Sequence, residues 1–376
     1  MHSVYFIPGM FGFGELAGYD YFHHLREGLE MRYRIRGVPV RFADVPTPPT
    51  SSIRERVLIL ANTVASCDSD GRGSIHLIGH STGGIDARHA LSPTVKLGVP
   101  REHMAWTRRV STLVTMSSPH YGTPLASHFT TLSGARLLYA GSLLTIVALR
   151  LGEPWLALLS RLLLRFRDPE RTSRTEREAM TEFANALLRF VDDDARRELK
   201  DFLRKITVDQ GAIVQISPEA MDLSNTSIRN AEHVRYGCVV AAAPPPSTRR
   251  ALRRVRTPYT AMTAALYGLM HRVTARQHAR YPYGAPSPDV LSTLEAALNR
   301  APTTADNDGV VPTLSMLWGD VLWAGEADHL DVIGHFRDDQ VLGDHVDWLT
   351  SGSRFSRADF HSLVDAVAAH QLGETS

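Results

Sequence analysis

The chain has 376 residues, of which 43% are hydrophobic and 22% are charged, and its formal net charge is +1. This composition is typical of a globular protein that buries a large core. The near-neutral charge argues against a broad basic surface for nucleic acid or an anionic membrane. The two cysteines, Cys67 and Cys238, do not demand a disulfide, and the apolar segment around Cys238 favours a buried free thiol.

The N-terminal residues lack the charged segment and long apolar run of a secretory signal, because Pro8 and Gly9 interrupt the first apolar stretch. The sequence as written therefore predicts a cytoplasmic protein, or a secreted one if this is a mature or trimmed form. The oligomeric state is left open.

The first third of the chain alternates between strand and helix patterns. Apolar strands are predicted before Pro8 and at 38–42, 74–78 and 111–116, and helices at 21–31, 53–65 and 85–91. Ser51 or Ser52 can cap the second helix. This alternation predicts an α/β fold with a mostly parallel, doubly wound sheet.

The sequence Gly79-His80-Ser81-Thr82-Gly83 lies between the strand at 74–78 and the helix that follows. GxSxG occurs often by chance, but a strand before it and a helix after it are the context of a nucleophile elbow. Ser81 is therefore the candidate nucleophile.

The glycine-rich loop at 8–14 is the candidate for half of an oxyanion hole. Acyl transfer needs two N–H donors aimed at the developing oxyanion, and one of them often comes from a loop after an early strand. We expect the backbone N–H groups of Met10 and Thr82 to serve. A plain strand-to-helix turn is the alternative.

His120 lies in a loop after the strand at 111–116, where a parallel sheet usually presents its ligand contacts. It is a candidate general base, with a loop-stabilising role as the equal alternative.

From 125 to about 205 the pattern is helical. The apolar stretch at 137–149 is shorter than the roughly 20 residues that a membrane span needs, so no transmembrane segment is predicted. We expect an α/β core at 1–124 and 211–376 and a helical insertion at 125–210, either a fixed cap or a mobile lid. A second helical excursion is expected at about 247–300.

Two charge clusters have ordinary explanations. The acidic run at 192–194 opens a predicted helix, where negative charge is favourable without any metal. The arginines at 249–256 have few interleaved aromatic residues, so a solvated helix face is favoured over a nucleic-acid site.

Asp308 and His329 complete the candidate chemistry near the end of the chain. Their order after Ser81 is the Ser, Asp, His order of α/β-hydrolases. Ser81 would attack, His329 would transfer the proton, and Asp308 would fix the imidazole tautomer. A hydrolase-like binding protein with a dead site is the alternative from another class.

Six sequence blocks in matching order carry a family resemblance, at 8–13 with 18–22, 79–84, 118–123, 215–221, 307–311 and 329–331. In these blocks the chain resembles the secreted Pseudomonas and Burkholderia triacylglycerol lipases. The resemblance implies an α/β-hydrolase fold, a catalytic triad of Ser81, Asp308 and His329, and an oxyanion hole from Met10 and Thr82. It also implies a lipase that cleaves acylglycerol-type esters and can act at a lipid–water interface. A short-chain or polyester esterase and an acyltransferase are alternatives on the same triad.

The same lipases hold a structural calcium near the catalytic histidine, although the chemistry itself needs no cofactor. By resemblance, Asp331 fits one ligand position and Asp289 is a loose candidate for another. His335 stands where the family has a glutamine, and Pro8 stands where it has a histidine. Calcium prefers oxygen ligands, so His335 weakens the expectation of a metal.

Overall fold

The computed structural model describes residues 1–10, 15–16, 19–67, 71–130, 209–246, 258–276, 283–334 and 350–374, with a few isolated positions between 193 and 255. The insertion predicted at 125–210 lies almost wholly outside these ranges. So do the arginine cluster and most of the acidic run.

The strands form a six-stranded parallel sheet and a small antiparallel pair. Their bounds are β1 His2–Ile7, β2 Glu15–Leu16, β3 Tyr19–Asp20, β4 Val40–Asp44, β5 Ser74–His80, β6 Val110–Met116, β7 Arg235–Ala241 and β8 Asp320–Gly325. The large sheet has the order β4-β1-β5-β6-β7-β8, and β2 pairs with β3. All five pairings in the large sheet are parallel. The parallel, doubly wound α/β sheet predicted from the sequence is confirmed.

Helices cover the sheet and bury its central strands. Their bounds are α1 His23–Ile35, α2 Ile53–Cys67, α3 Thr82–Leu91, α4 Pro124–Phe129, α5 Gly211–Gln215, α6 Pro218–Ser227, α7 Pro258–Thr274, α8 Pro288–Leu298 and α9 Arg357–Leu372. Six of the seven residues in each of β5, β6 and β7 are buried. Such continuous burial explains why these strands are apolar runs rather than alternating patterns.

Several helix bounds differ from the prediction. Helix α3 begins at Thr82 rather than at residue 85, because the turn at Ser81 leads directly into helical backbone. Helix α2 begins at Ile53 as expected, and the Ser52 hydroxyl accepts a hydrogen bond from the backbone N–H of Glu55. Ser52 is therefore the capping residue of the two that were considered.

The C-terminal helix α9 was not predicted, although it carries a strong local signal. The Ser356 hydroxyl accepts from the Asp359 N–H, and the Asp359 carboxylate accepts from the Ser356 N–H. This reciprocal arrangement is a capping box. Helix α9 packs against α1 and β8, so it closes the core near the edge of the sheet.

Both cysteines are free thiols. Cys238 lies in the buried strand β7, as expected, and burial raises its pKa to about 12. Among the helices in the described ranges, none has the length and apolar character that crossing a bilayer requires.

Candidate active site

Ser81 occupies the tight turn between β5 and α3, with φ of 55° and ψ of −125°. A positive φ at a residue other than glycine costs about 1–3 kcal/mol and is usually retained at functional sites. A Cβ on Gly79 would lie 2.4 Å from the Gly84 nitrogen, and one on Gly83 would lie 2.0 Å from the Ile7 oxygen. The turn therefore requires glycine at both positions, as the elbow pattern predicted.

The loop that carries Asp308 is fastened to the carboxyl end of β7. The backbone N–H of Ala243 donates to the Asn307 oxygen at 2.9 Å, and the Thr313 hydroxyl donates to the Ala241 oxygen at 2.9 Å. The long excursion between β7 and Asp308 thus returns the acid to the edge of the sheet where Ser81 lies.

Asp308 and His329 form a buried pair. Asp308 Oδ2 accepts from His329 Nδ1 at 2.7 Å, and Asp308 Oδ1 accepts from the backbone N–H groups of Val310 and Val311 at 2.9 and 2.7 Å. A carboxylate only accepts hydrogen bonds, so the proton of the neutral imidazole stays on Nδ1. The Nε2 atom is then left with its lone pair, as a general base requires.

His80 connects Ser81 to the histidine loop. Its Nε2 donates to the His329 backbone oxygen at 2.8 Å, and the rings of His80 and His329 lie 4.7 Å apart between centroids. Tyr21 then donates its hydroxyl hydrogen to Nδ1 of a neutral His80 at 2.8 Å. Among the hydrogen bonds of the described residues there is none between Ser81 Oγ and His329. Catalytic hydrogen bonds of this kind often form fully only when substrate is bound.

The two expected oxyanion donors lie beside Ser81. Thr82 is the first residue of α3, where a backbone N–H has no acceptor within the helix. Met10 is buried and shares a cavity with Ser81. A Cβ on Gly9 would lie 2.6 Å from Ser81 Cβ, so the loop at 8–10 passes directly over the serine. The donor roles of Met10 and Thr82 stay predictions.

A narrow, partly open cavity leads to Ser81. Eight of its ten lining residues are apolar, among them Met10, Phe129 and Ile216. The two polar lining residues are Ser81 and Thr123, and the Thr123 hydroxyl already donates to the Val310 oxygen at 2.6 Å. The cavity therefore suits a hydrocarbon chain better than a polar group.

His120 is a fully buried part of the loop after β6. Its Nδ1 accepts from the Arg88 guanidinium at 3.1 Å, and its Nε2 pairs with the Thr115 hydroxyl at 3.0 Å. Burial and the nearby Arg88 charge hold the pKa of His120 well below its ordinary value of 6.5. Since both ring nitrogens are occupied by the protein, the structure favours the loop-stabilising role over that of a general base.

We expect His120→Asn to change the pH dependence of stability and leave the acid limb of the ester-hydrolysis profile in place. A histidine with a lowered folded pKa stabilises the fold above its unfolded pKa and loses this contribution as pH falls. Between about pH 7.5 and pH 5 the variant should therefore lose up to about 2 kcal/mol less of its free energy of unfolding than the wild type. Urea titrations at the two pH values measure this, and an altered acid limb would contradict the assignment.

The residues suggested for calcium do not assemble a donor set in the described ranges. Asp331 Oδ2 accepts from the Asp328 backbone N–H and the Ser353 hydroxyl, both at 2.7 Å. Asp289 is exposed in the first turn of α8. Among the described residues, no three side chains of His, Cys, Asp or Glu gather closely enough for a metal. Calcium stays a prediction: a melting temperature lowered by a chelator would support it, and indifference would remove it.

Residues 57–135 match the PGAP1-like alpha/beta domain family. This segment runs from α2 through Ser81 and α3 to the loop after β6 and α4. Over 91 residues, the chain is also 34% identical to a triacylglycerol lipase of Vibrio cholerae. That alignment covers 24% of this chain and 28% of the Vibrio lipase, so it spans little more than a quarter of the relative.

Similar solved structures include a lipase, a carboxyl esterase and a protein named EstA. The lipase of Staphylococcus hyicus is 15% identical with a TM-score of 0.49, and the alignment covers 100% of this chain and 97% of that one. EstA of Clostridium botulinum is 17% identical with a TM-score of 0.49, covering 97% and 87%. A metagenomic carboxyl esterase is 16% identical with a TM-score of 0.48, covering 99% and 75%.

The connectivity of the strands and of the loops that carry Ser81, Asp308 and His329 identifies the fold. The parallel sheet presents the Ser81 elbow after β5, the Asp308 loop beside the end of β7 and the His329 loop after β8. That connectivity, together with the match over residues 57–135, is the α/β-hydrolase fold.

Proposed function

We propose that the chain is a serine carboxylic-ester hydrolase that works through an acyl-serine intermediate. The observation that carries this proposal is the buried His329–Asp308 pair, whose loop is hydrogen-bonded to His80, the neighbour of a strained serine at the strand-to-helix turn. The triacylglycerol lipase named among the relatives points to the same class of reaction.

Ser81 Oγ attacks the ester carbonyl while His329 Nε2 takes its proton, and the resulting imidazolium is stabilised by Asp308. The N–H groups of Met10 and Thr82 bind the oxyanion, and one such donor is worth about 10²–10³ in kcat. His329 then returns the proton to the departing alcohol. Water, activated by the same imidazole, releases the acid from Ser81.

Within this class we propose a lipase that acts on acylglycerols or similar water-insoluble esters. The apolar cavity beside Ser81 suits an acyl chain, and the resemblance of six sequence blocks to Pseudomonas and Burkholderia lipases points the same way. The insertion predicted at 125–210 would then act as a lid or cap whose apolar face meets lipid.

The experiment is a profile of hydrolysis over p-nitrophenyl and glyceryl esters of increasing chain length, measured on monomers and on emulsions. We expect preference for longer chains and higher activity on emulsions. Preference for acetyl and butyryl esters would identify a short-chain esterase, and transfer to an added alcohol would identify an acyltransferase. Failure of the folded protein to react with any fluorophosphonate would point to a dead site.

A further inference from the structure

Arg56 and Asp86 form an ion pair in the interior, and both side chains have no exposed surface. Arg56 belongs to α2, and Asp86 belongs to α3, one turn after Thr82. Asp86 Oδ2 accepts from Arg56 Nε at 2.8 Å, and a second guanidinium nitrogen approaches the same oxygen at 2.8 Å. The pair therefore joins α2 firmly to the helix that begins at the nucleophile.

The Arg56 guanidinium also holds two backbone segments that belong to neither helix. The terminal nitrogen that approaches Asp86 also donates to the Pro8 oxygen at 2.7 Å, and the other terminal nitrogen donates to the Pro48 oxygen. Pro8 directly precedes Gly9 and Met10 in the loop over Ser81. A single guanidinium thus connects the loop that carries the Met10 N–H with the helix that starts at Thr82.

We propose that Arg56, oriented by Asp86, is a positioning residue that fixes the separation of the two oxyanion donors. The proposal rests on the proposed function. The close packing around Ser81 makes this geometry sensitive, because a Cβ on Gly9 would already overlap Ser81 Cβ. A displacement of about 1 Å in such a site can cost 100-fold in rate.

A purely stabilising role explains this pair less well. Burying a salt bridge costs desolvation that often cancels the attraction, so an apolar pair of similar volume would serve stability equally well. Arginine is suited to a different task, because its rigid fork can bind several oxygens in fixed directions at once. Here it binds one carboxylate and two carbonyl oxygens.

The test compares Arg56→Lys and Asp86→Asn with the wild type. Lysine keeps the charge but cannot reach three acceptors in a fixed plane, so kcat should fall about 10- to 100-fold while KM stays within about twofold. Affinity for an alkyl trifluoromethyl ketone, which forms a tetrahedral oxyanion on the serine, should fall by the same factor as kcat/KM. Hydrogen exchange in the peptide that contains residues 8–10 should become faster.

Arg88→Lys is the matched control. Arg88 is equally buried in α3, but its guanidinium contacts His120, Asn225 and the Trp318 ring and does not contact the loop at 8–10. The Arg88→Lys variant should lower the melting temperature without the losses in kcat and inhibitor affinity that are expected of Arg56→Lys. If Arg56→Lys and Arg88→Lys show the same kinetics and the same exchange at 8–10, the positioning role is wrong.

Failure of the proposed function would look different. The wild type itself would then neither hydrolyse esters nor react with a fluorophosphonate, while exchange at 8–10 would still report whether Arg56 holds the loop. Faster exchange in Arg56→Lys alone would support the structural connection, and unchanged exchange would overturn it.

Discussion

Ser81→Ala should reduce ester hydrolysis by about six orders of magnitude in kcat, to the level left by binding and the oxyanion donors alone. We expect so large a loss because Ser81 Oγ is the proposed site of the acyl intermediate. Alanine keeps the Cβ atom and the left-handed backbone already present at Ser81, so the melting temperature should change little. Hydrolysis of a p-nitrophenyl ester and labelling by a fluorophosphonate measure the effect.

Ser117 offers a matched control for this variant. It is fully buried at the end of β6 and also has a positive φ, 48°, but it does not line the cavity at Ser81. Ser117→Ala should keep kcat within about twofold, since a buried hydroxyl away from the reacting atoms contributes only to stability. Fluorophosphonate labelling that survives in Ser81→Ala would show that another residue is the nucleophile.

Asp308→Asn should lower kcat by about 10⁴, with little change in overall structure. The backbone N–H groups of Val310 and Val311 both point at Oδ1, so the amide oxygen of the variant must occupy that position. Its NH₂ group then faces His329 Nδ1 and donates to it. The imidazole proton is forced onto Nε2, which can no longer accept a proton from Ser81.

Asp306→Asn separates this tautomer effect from the loss of any nearby carboxylate. Asp306 lies two residues earlier in the same loop and pairs with Arg300 at 2.6 Å, away from His329. We expect Asp306→Asn to lower the melting temperature and to leave kcat nearly unchanged. Equal kinetic losses in the two variants would mean that loop integrity, rather than the tautomer, governs the rate.

The strands and the turn at Ser81 could be predicted from short segments of the sequence. The segments at 74–80 and 110–116 are apolar and rich in β-branched residues, and the glycines around Ser81 are spaced as a tight turn demands. The ends of the helices were predicted less accurately. Helix α1 runs from His23 to Ile35, whereas the apolar spacing predicts a helix at 21–31. Beyond residue 31 the helix buries Tyr33, but this residue stands between Arg32 and Arg34, so the apolar spacing gives only a weak signal for the last turn.

His120 shows why residue type alone could not assign a role. Its position after β6 is shared by many catalytic residues, and the sequence left two roles open. The choice depends on what occupies its ring nitrogens, and Arg88 and Thr115 reach them only after α3 and β6 have packed together.

By itself, the sequence determined the fold class, the tight turn at Ser81 and the order of Asp308 and His329 after it, because these depend on local pattern and on position along the chain. Only the tertiary structure revealed that His80 fastens the His329 loop and that Arg56 reaches Asp86 and Pro8. These partners are separated by 249, 30 and 48 residues. A buried polar group must find its hydrogen-bond partner wherever packing places one, and that choice leaves no periodic or local mark in the sequence.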